Sequence, residues 1–322
     1  MRGSDVRRST TRRVLGLIAA CAMVLLPVAS ARADAVTEWN LNATDALIVR
    51  AAQPPQLSVP HLAMVHGAVY DAVNAIDGGH EPYLLASSSA QPSDSKQAAA
   101  ATAAHRVLAH LVPAQQTTLD ALYAGSLAGV PDGPAKTGGI AVGQAAAAAM
   151  IAARPPDGGA FRFPVGSEPG VWRPVLPAFG NDPNAWLKDL QPFLIDDPAR
   201  FRSEGPLALT SQSYARELDE VKSVGALDSA VRTADQTHAA RYWAENPPAT
   251  WSRIFRTLSA QQGPTLTENA RLYAMLYMTA ADALIAVWDD KRTGASGGRS
   301  RRSARRAATA TRSRSRRRAG RH

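Results

Sequence analysis

The stretch Pro60-His-Leu-Ala-Met-Val-His-Gly-Ala-Val-Tyr-Asp-Ala-Val-Asn-Ala-Ile-Asp77 decides the fold class of this 322-residue chain. The alternation of apolar and polar residues that marks a half-buried β-strand is absent from it. Instead, apolar side chains recur every three or four residues, the spacing of one helical face, at Leu62, Val65, Ala68, Val69, Ala72, Val73 and Ile76. The pattern predicts a helix over residues 60–77 that packs against other helices.

Further helices are predicted from apolar periodicity or from a high content of helix-forming residues. They cover residues 96–111, 139–153, 211–224, 229–244 and 267–290. Asp228 and Thr267 are the predicted N-caps of the last two. The last helix carries an apolar stripe that other helices must cover, formed by Leu272, Met275, Leu276, Thr279, Ala283, Ala286 and Val287. With residues 155–208 predicted to be irregular, the fold class is all-α.

The formal charge of +9 conceals three regions of different character. Residues 1–33 carry a net charge of +5, and residues 291–322 carry +13 with no acidic residue. The body between them, residues 34–290, therefore has a net charge of −9. We expect one acidic globular domain over residues 34–290, so the overall basic character says little about the folded part.

Residues 1–33 have the three parts of an export signal. A basic start is followed by the apolar run Val14–Val28 and by the small-x-small sequence Ala31-Arg32-Ala33. The alternative is a membrane span, but a span needs about 20 apolar residues, and Pro27 interrupts this run. Thr11-Arg12-Arg13 resembles a twin-arginine signal, and Sec export is an equally open route.

Removal of this signal after Ala33 makes Asp34 the first residue of a periplasmic or extracellular protein. The only cysteine, Cys21, is lost with the signal. We therefore expect a mature chain without disulfides, thiol chemistry or a membrane span.

Common catalytic motifs are absent from the sequence, including the Gly-x-Ser-x-Gly elbow, the phosphate loop and the dinucleotide fingerprint. The pairs His61/His66 and His105/His110 are each five residues apart, so neither pair shares a helical face for a metal. No metal site is predicted.

Several polar groups allow both a functional and a structural interpretation. We favour satisfied polar groups that join helices for two clusters: His66 with Tyr70 and Asp71, and Asp235 with His238 and Arg241. Asp282, which lies among apolar residues, is predicted to anchor a buried ion pair. Trp172-Arg173-Pro174 can aim a guanidinium at an anion, but a packing turn is the favoured interpretation.

Three stretches together resemble the exported bacterial vanadium-dependent haloperoxidases, of the type 2 phosphatidic acid phosphatase superfamily. They are His66-Gly-Ala-Val-Tyr-Asp-Ala-Val-Asn-Ala-Ile76, Arg232-Thr-Ala-Asp-Gln-Thr-His-Ala-Ala-Arg-Tyr-Trp-Ala244, and Ala270-Arg-Leu-Tyr-Ala274 followed by Ala281-Asp-Ala-Leu-Ile-Ala-Val-Trp-Asp-Asp-Lys291. The resemblance extends over nearly all of residues 36–291. It implies packed helical bundles and a pocket for vanadate or phosphate, with halide, peroxide or a phosphoester as small-molecule partners.

The resemblance assigns one pocket residue, Lys291, as the residual ligand of vanadate or phosphate. In the family this lysine opens the motif Lys-x6-Arg-Pro, which is followed by Pro-Ser-Gly-His and by an arginine with a distant histidine. Lys291 matches by its place three residues after Trp288. The expected Arg-Pro is replaced by Arg299-Ser300, and no Pro-Ser-Gly-His follows. A tetrahedral oxyanion needs several fixed cations and N–H donors, so we expect this chain to bind no vanadate and to have no catalytic residue.

Residues 293–322 contain only Thr, Gly, Ala, Ser, Arg and the final His. They hold no large apolar residue, and we expect residues 291–322 to form a disordered, Arg-rich tail. One explanation is a natural basic arm for nucleic acid or anionic surfaces. The other is a reading-frame slip, which truncates the chain before the C-terminal bundle of the family. Residues 293–304 can be encoded so that one T restored after codon 292 gives YWRFWRPVTAIR, with Arg-Pro at the required distance from Lys291. We favour the frame slip.

The sequence therefore predicts an exported haloperoxidase-like protein that is inactive as this truncated chain. An acid phosphatase of the same superfamily is the first alternative, because the same pocket can hold phosphate. A helical binding module with a tail for nucleic acid or another polyanion is the second. Nucleic acid is the less favoured partner, and the oligomeric state is left open.

Overall fold

The computed structural model describes residues 34–86, 89–154, 165–166, 168–174 and 184–294. Within these residues the protein contains α-helices, short 3-10 and π turns, and no β-strand, which confirms the predicted all-α fold. The predicted export signal, residues 295–322 of the predicted tail and much of the irregular region lie outside the described residues. Residues 291–294, predicted to begin the disordered tail, are instead the last residues of a helix. The helices are α1 (Ala35–Thr44), α2 (Pro55–Asp77), α3 (Lys96–Leu111), α4 (Gln116–Ala128), α5 (Pro134–Ala153), α6 (Gln212–Gly225), α7 (Ala234–Trp243), α8 (Pro247–Gln262) and α9 (Leu266–Gly294).

Helix α2 lies at the centre of the core, with α3, α5 and α9 packed on it. It begins at Pro55, where the fixed φ of proline suits the first helical turn. It ends at Gly78, whose φ of 69° is the left-handed conformation that glycine adopts at little cost. Almost every residue from Pro60 to Val73 is buried, so this helix is covered on most of its circumference.

Helix α5 starts five residues before the predicted boundary at residue 139. Gly139 and Gly143 lie inside it, because α5 approaches the backbone of α3 closely at both positions. A Cβ atom at Gly143 would lie 2.5 Å from the carbonyl oxygen of Ala99, and one at Gly139 would lie 2.3 Å from that of Ser95. The glycines allow this close packing and do not end the helix.

Two predicted N-caps are wrong. Helix α7 begins at Ala234, capped by Thr233 in a capping box with Gln236. The predicted cap, Asp228, precedes a turn in which the Arg232 guanidinium donates hydrogen bonds of 2.8 Å to the carbonyls of Val224 and Ala226, so helix α7 cannot start there.

The cap of α9 is Thr265 rather than Thr267. The Thr265 N–H donates to the Glu268 carboxylate at 2.7 Å, and the Glu268 N–H donates back to the Thr265 hydroxyl at 3.3 Å. These bonds from Thr265 hold the pKa of Glu268 below its usual value. Thr267 instead accepts a hydrogen bond of 3.2 Å from the Lys96 ammonium.

Helix α9 buries one face and exposes another. The buried face, against α2, includes Tyr273, Tyr277, Ala281 and Ile285. The predicted apolar stripe is largely uncovered by the described residues: Leu272, Met275 and Val287 are all substantially exposed. By length and composition α9 could cross a membrane, but half of its most apolar window is buried in the protein.

Candidate functional site

The C-terminal end of α9 holds Lys291, the one residue that the sequence assigns to an anion pocket. Its side chain is exposed, and its ammonium nitrogen lies 4.3 Å from the centre of the Trp288 ring. Trp288 is itself buried, in a small cluster with Ala185, Trp186 and Leu187. Lys291 is therefore held over an aromatic face at the protein surface.

The carboxylates next to Lys291 bind other groups. Asp289 accepts two hydrogen bonds from the Arg202 guanidinium, 2.6 Å from Nε and 2.9 Å from Nη2. These bonds hold the pKa of Asp289 below its usual value. Asp290 accepts hydrogen bonds from the backbone and the hydroxyl of Ser203, at 3.1 and 2.8 Å. The end of α9 is thus tied to residues 202–203.

Lys291 lies in an exposed and partly acidic environment. A bound oxyanion requires converging cations and N–H donors with little solvent. Here Lys291 is exposed, two carboxylates directly precede it, and the nearby Arg202 is paired with Asp289. The histidine and the Arg-Pro pair of the family motif have no counterpart in this part of the chain.

A second polar cluster lies buried between α1, α2, α8 and α9, and the sequence indicates only its His66. Arg256 donates to the Asn40 side-chain oxygen at 2.6 Å, which turns the Asn40 amide nitrogen toward its other two neighbours. That nitrogen lies 2.9 Å from His66 Nε2 and 2.8 Å from the Tyr277 hydroxyl. Because Asn40 donates, His66 Nε2 must be the unprotonated acceptor.

Hydrogen bonding continues from this cluster in one direction. The Ser252 hydroxyl donates to the Pro248 carbonyl at 2.6 Å, so the Tyr277 hydroxyl, 2.6 Å away, donates to Ser252. The His66 ring also stacks on the Tyr277 ring, with centres 4.8 Å apart. Full burial, with the Arg256 charge as a lesser cause, lowers the pKa of His66 to about 3. The interpretation of His66 as a satisfied polar group is therefore right only for Nε2, because the buried Nδ1 has no hydrogen-bond partner among the described residues.

We expect His66 to make stability depend on pH. A histidine in the unfolded chain has a pKa near 6.5. Between pH 6.5 and 3, His66 is therefore protonated in the unfolded chain but neutral in the folded protein. Stability should therefore fall as the pH drops through this range, by about 1 kcal/mol between pH 6 and pH 5 from this group. Urea unfolding at both pH values should show a smaller drop in His66→Phe. Equal drops in the two proteins would contradict the assignment.

Asp71 and Asp282 each hold a bent, irregular segment through its backbone. The Asp71 carboxylate accepts from the N–H groups of Tyr83, Leu84 and Leu85, at 2.7, 2.8 and 3.1 Å. Burial raises the pKa of Asp71, against the lowering effect of these three bonds. Tyr70, on the same helix, donates to the Glu81 carbonyl at 2.6 Å. Both side chains thus satisfy backbone hydrogen-bonding groups, which is the structural interpretation that the sequence favours. We call residues 82–85 the first strap.

Asp282 is buried as predicted, but the predicted ion pair is wrong. Its carboxylate accepts from the N–H groups of Phe193, Leu194 and Ile195, at 2.6, 2.7 and 3.1 Å. Three N–H donors satisfy a buried carboxylate without a cationic side chain. We call residues 192–195 the second strap.

The other predicted polar groups do not converge on a site. Asp235, His238 and Arg241 are all exposed on α7, so the interpretation of this cluster as polar groups that join helices is wrong. Trp172 packs against the Trp288 cluster, as expected for a packing turn. His61 bonds Gln53 at 2.8 Å, and His105 bonds Asp120 at 2.7 Å. Among the described residues no group of three His, Cys, Asp or Glu side chains could hold a metal.

Comparison with known proteins identifies the fold. No family model and no curated protein matches the sequence. A solved structure, described as the first bacterial vanadium-dependent iodoperoxidase, matches 82% of this chain and 70% of its own, with a TM-score of 0.69 and 19% sequence identity. This chain has the iodoperoxidase fold. The helical architecture implied by the sequence resemblance is therefore confirmed, and chemistry must be argued from the site.

Proposed function

We propose that this protein is an exported, haloperoxidase-like protein that lacks the vanadate pocket and does not oxidise halides. The observation that carries the proposal is the combination of an iodoperoxidase-like fold with an exposed Lys291 at the end of α9. The fold supports membership of the haloperoxidase superfamily, and the absence of the Arg-Pro pair and of Pro-Ser-Gly-His after Lys291 argues against turnover. We also propose that residues 1–33 direct export, as their composition predicts.

The proposed cause of the missing pocket is a reading-frame slip after codon 292. The exposed stripe on α9 supports this proposal, because a helix that should continue into a second bundle would expose such a face without its partners. In relatives of intact sequence, vanadate bound in the pocket supplies the site at which peroxide oxidises halide. Nothing in the described residues of this chain replaces it.

Purified protein should therefore show no iodide oxidation above the protein-free rate when orthovanadate and hydrogen peroxide are added. Saturable, vanadate-dependent turnover would contradict the proposal. The matched variant is Lys291→Ala, which should leave this baseline unchanged. Phosphoester hydrolysis should be absent for the same reason, because phosphate needs the same cations.

Sequencing the DNA around codon 292 tests the cause separately. If one base is restored there, the longer protein should gain vanadate-dependent iodide oxidation, and loss of that activity in its Lys291→Ala variant would assign the lysine. A gene whose triplets are intact through the stop codon would refute the frame slip and leave the basic tail as a natural feature.

A further inference from the structure

Helices α2 and α9 carry the same sequence pattern at a constant separation. Asp71-Ala-Val-Asn-Ala-Ile76 in α2 corresponds to Asp282-Ala-Leu-Ile-Ala-Val287 in α9, 211 positions later. At the same separation, Ala63-Met64 corresponds to Ala274-Met275. The two straps also match, as Pro82-Tyr-Leu-Leu85 and Pro192-Phe-Leu-Ile195. Each aspartate binds the three N–H groups of its own strap, although the first strap follows its aspartate in the chain and the second precedes it, so the straps share the contact and not the 211-residue separation.

Counterparts in the two helices touch each other. His66 stacks on Tyr277, and these residues are also 211 positions apart. Next to them, a Cβ atom added to Gly67 would lie 2.4 Å from the Met278 methyl group, again its counterpart. Contacts between equivalent residues are what a twofold axis produces. Helices α2 and α9 therefore cross at equivalent positions of the repeat.

The two helices differ in how they are covered. Met64 and Ile76 of α2 are 5% and 4% exposed, while their counterparts Met275 and Val287 of α9 are each 48% exposed. Helices α3 and α5 pack on α2, whereas on α9 the described residues leave an open groove bordered by Trp251 and Phe255 of α8 and by Ile195 and Phe201. Two apolar clefts of about 520 Å³ and 320 Å³ follow the exposed face of α9. This face is as apolar as a surface buried in a protein core, but it is exposed to solvent.

The Arg-rich tail cannot supply that cover, because residues 295–322 contain no large apolar side chain. We propose that a second copy of this chain covers the face, with the two α9 helices antiparallel across a twofold axis. The inference rests on the truncation proposed above: a second copy takes the place that the missing C-terminal bundle leaves open on this face, whatever the chemistry of the protein.

The sequence of α9 is complementary to itself in this orientation. An antiparallel pair centred between Thr279 and Ala280 places Leu272 opposite Val287. In the same register Leu276 meets the small Ala283, which allows close packing. Glu268 at one end of the face falls opposite Lys291 at the other, so opposite charges meet at both ends of the pair.

The basic tails favour the same orientation. Residues 291–322 carry a net charge of +13 and follow directly from the end of α9. A helix of this length spans roughly 44 Å, so an antiparallel pair keeps the two tails far apart. A parallel pair would place them side by side, and their repulsion would oppose association.

Sedimentation velocity of the protein without residues 1–33 tests the proposal. We expect a dimer whose dissociation constant rises at least about thirtyfold in Met275→Glu. Val287→Glu, at the other end of the face, should do the same and guards against a folding defect in the first variant. The matched control is Leu227→Glu, because Leu227 is 98% exposed in a loop away from α9.

Charge reversal tests the register. Lys291→Glu should weaken the dimer about threefold, and combining it with Glu268→Lys should restore the affinity. Circular dichroism should show every variant folded. A monomer at all concentrations, aggregates of indefinite size, or a dimer that tolerates both Met275→Glu and Val287→Glu would overturn the proposal, and so would a monomer whose α9 amides resist hydrogen exchange.

Discussion

Replacing Asp282 with alanine is expected to lower the free energy of unfolding by about 4 kcal/mol. The carboxylate satisfies three backbone N–H groups of the second strap, and the nearest of them, that of Phe193, is buried. Removing the acceptor leaves donors without partners, which costs more than the bonds contribute when intact. Urea unfolding followed by circular dichroism measures the change.

Two further variants make this prediction specific. Asp282→Asn keeps one oxygen but presents an amide nitrogen to N–H donors, so it should cost about 2 kcal/mol. Asp235→Ala, on the exposed helix α7, should change stability by less than about 0.5 kcal/mol. If Asp282→Ala were as stable as Asp235→Ala, the strap would not be held by this carboxylate.

Replacing Gly143 with alanine is expected to destabilise the protein by about 3 kcal/mol. The new Cβ atom would lie 2.5 Å from the Ala99 carbonyl oxygen and 3.1 Å from the Ala103 nitrogen. Both are backbone atoms of α3, so relief requires α5 to move away along its whole contact. Thermal unfolding should show a clear loss.

Gly125→Ala is the matched control, because nothing lies within 4 Å of a Cβ atom there. On α4 that substitution should stabilise the protein by about 0.5 to 1 kcal/mol through helix propensity. If the two variants shifted stability in the same direction, close contact between α3 and α5 would not be the cause.

The regular helices could be predicted where one face is apolar or where alanine dominates. Residues 96–111 match α3 in full, and residues 211–224 match α6 apart from the cap residue Ser211 and one residue at the end. Helices α1, α4 and α8 were not predicted. Helix α4 is only weakly amphipathic, in keeping with its single buried residue, Leu119. Helix α8 begins with Pro247-Pro248, a pair that suggests a loop, although proline fits the first turn of a helix.

The site could be predicted less well than the fold. Sequence periodicity shows that Asp71 and Asp282 lie among apolar residues, but it cannot show which groups a carboxylate binds. Every residue except proline has a backbone N–H, so residue types do not show which of these groups a carboxylate binds. For Asp282 the sequence therefore indicates an ion pair, although its partners are backbone N–H groups. The repeat of Asp-Ala-x-x-Ala after 211 residues was a signal available in the sequence.

Arg154, at the end of α5, reaches both straps. Its guanidinium donates to the Tyr83 hydroxyl at 2.6 Å and lies 3.6 Å over the centre of the Phe193 ring. Tyr83 and Phe193 occupy equivalent positions in the two straps, and the one guanidinium contacts both residues. Arg154 therefore couples the two straps, so replacing either aromatic residue should disturb the side chain that also contacts the other.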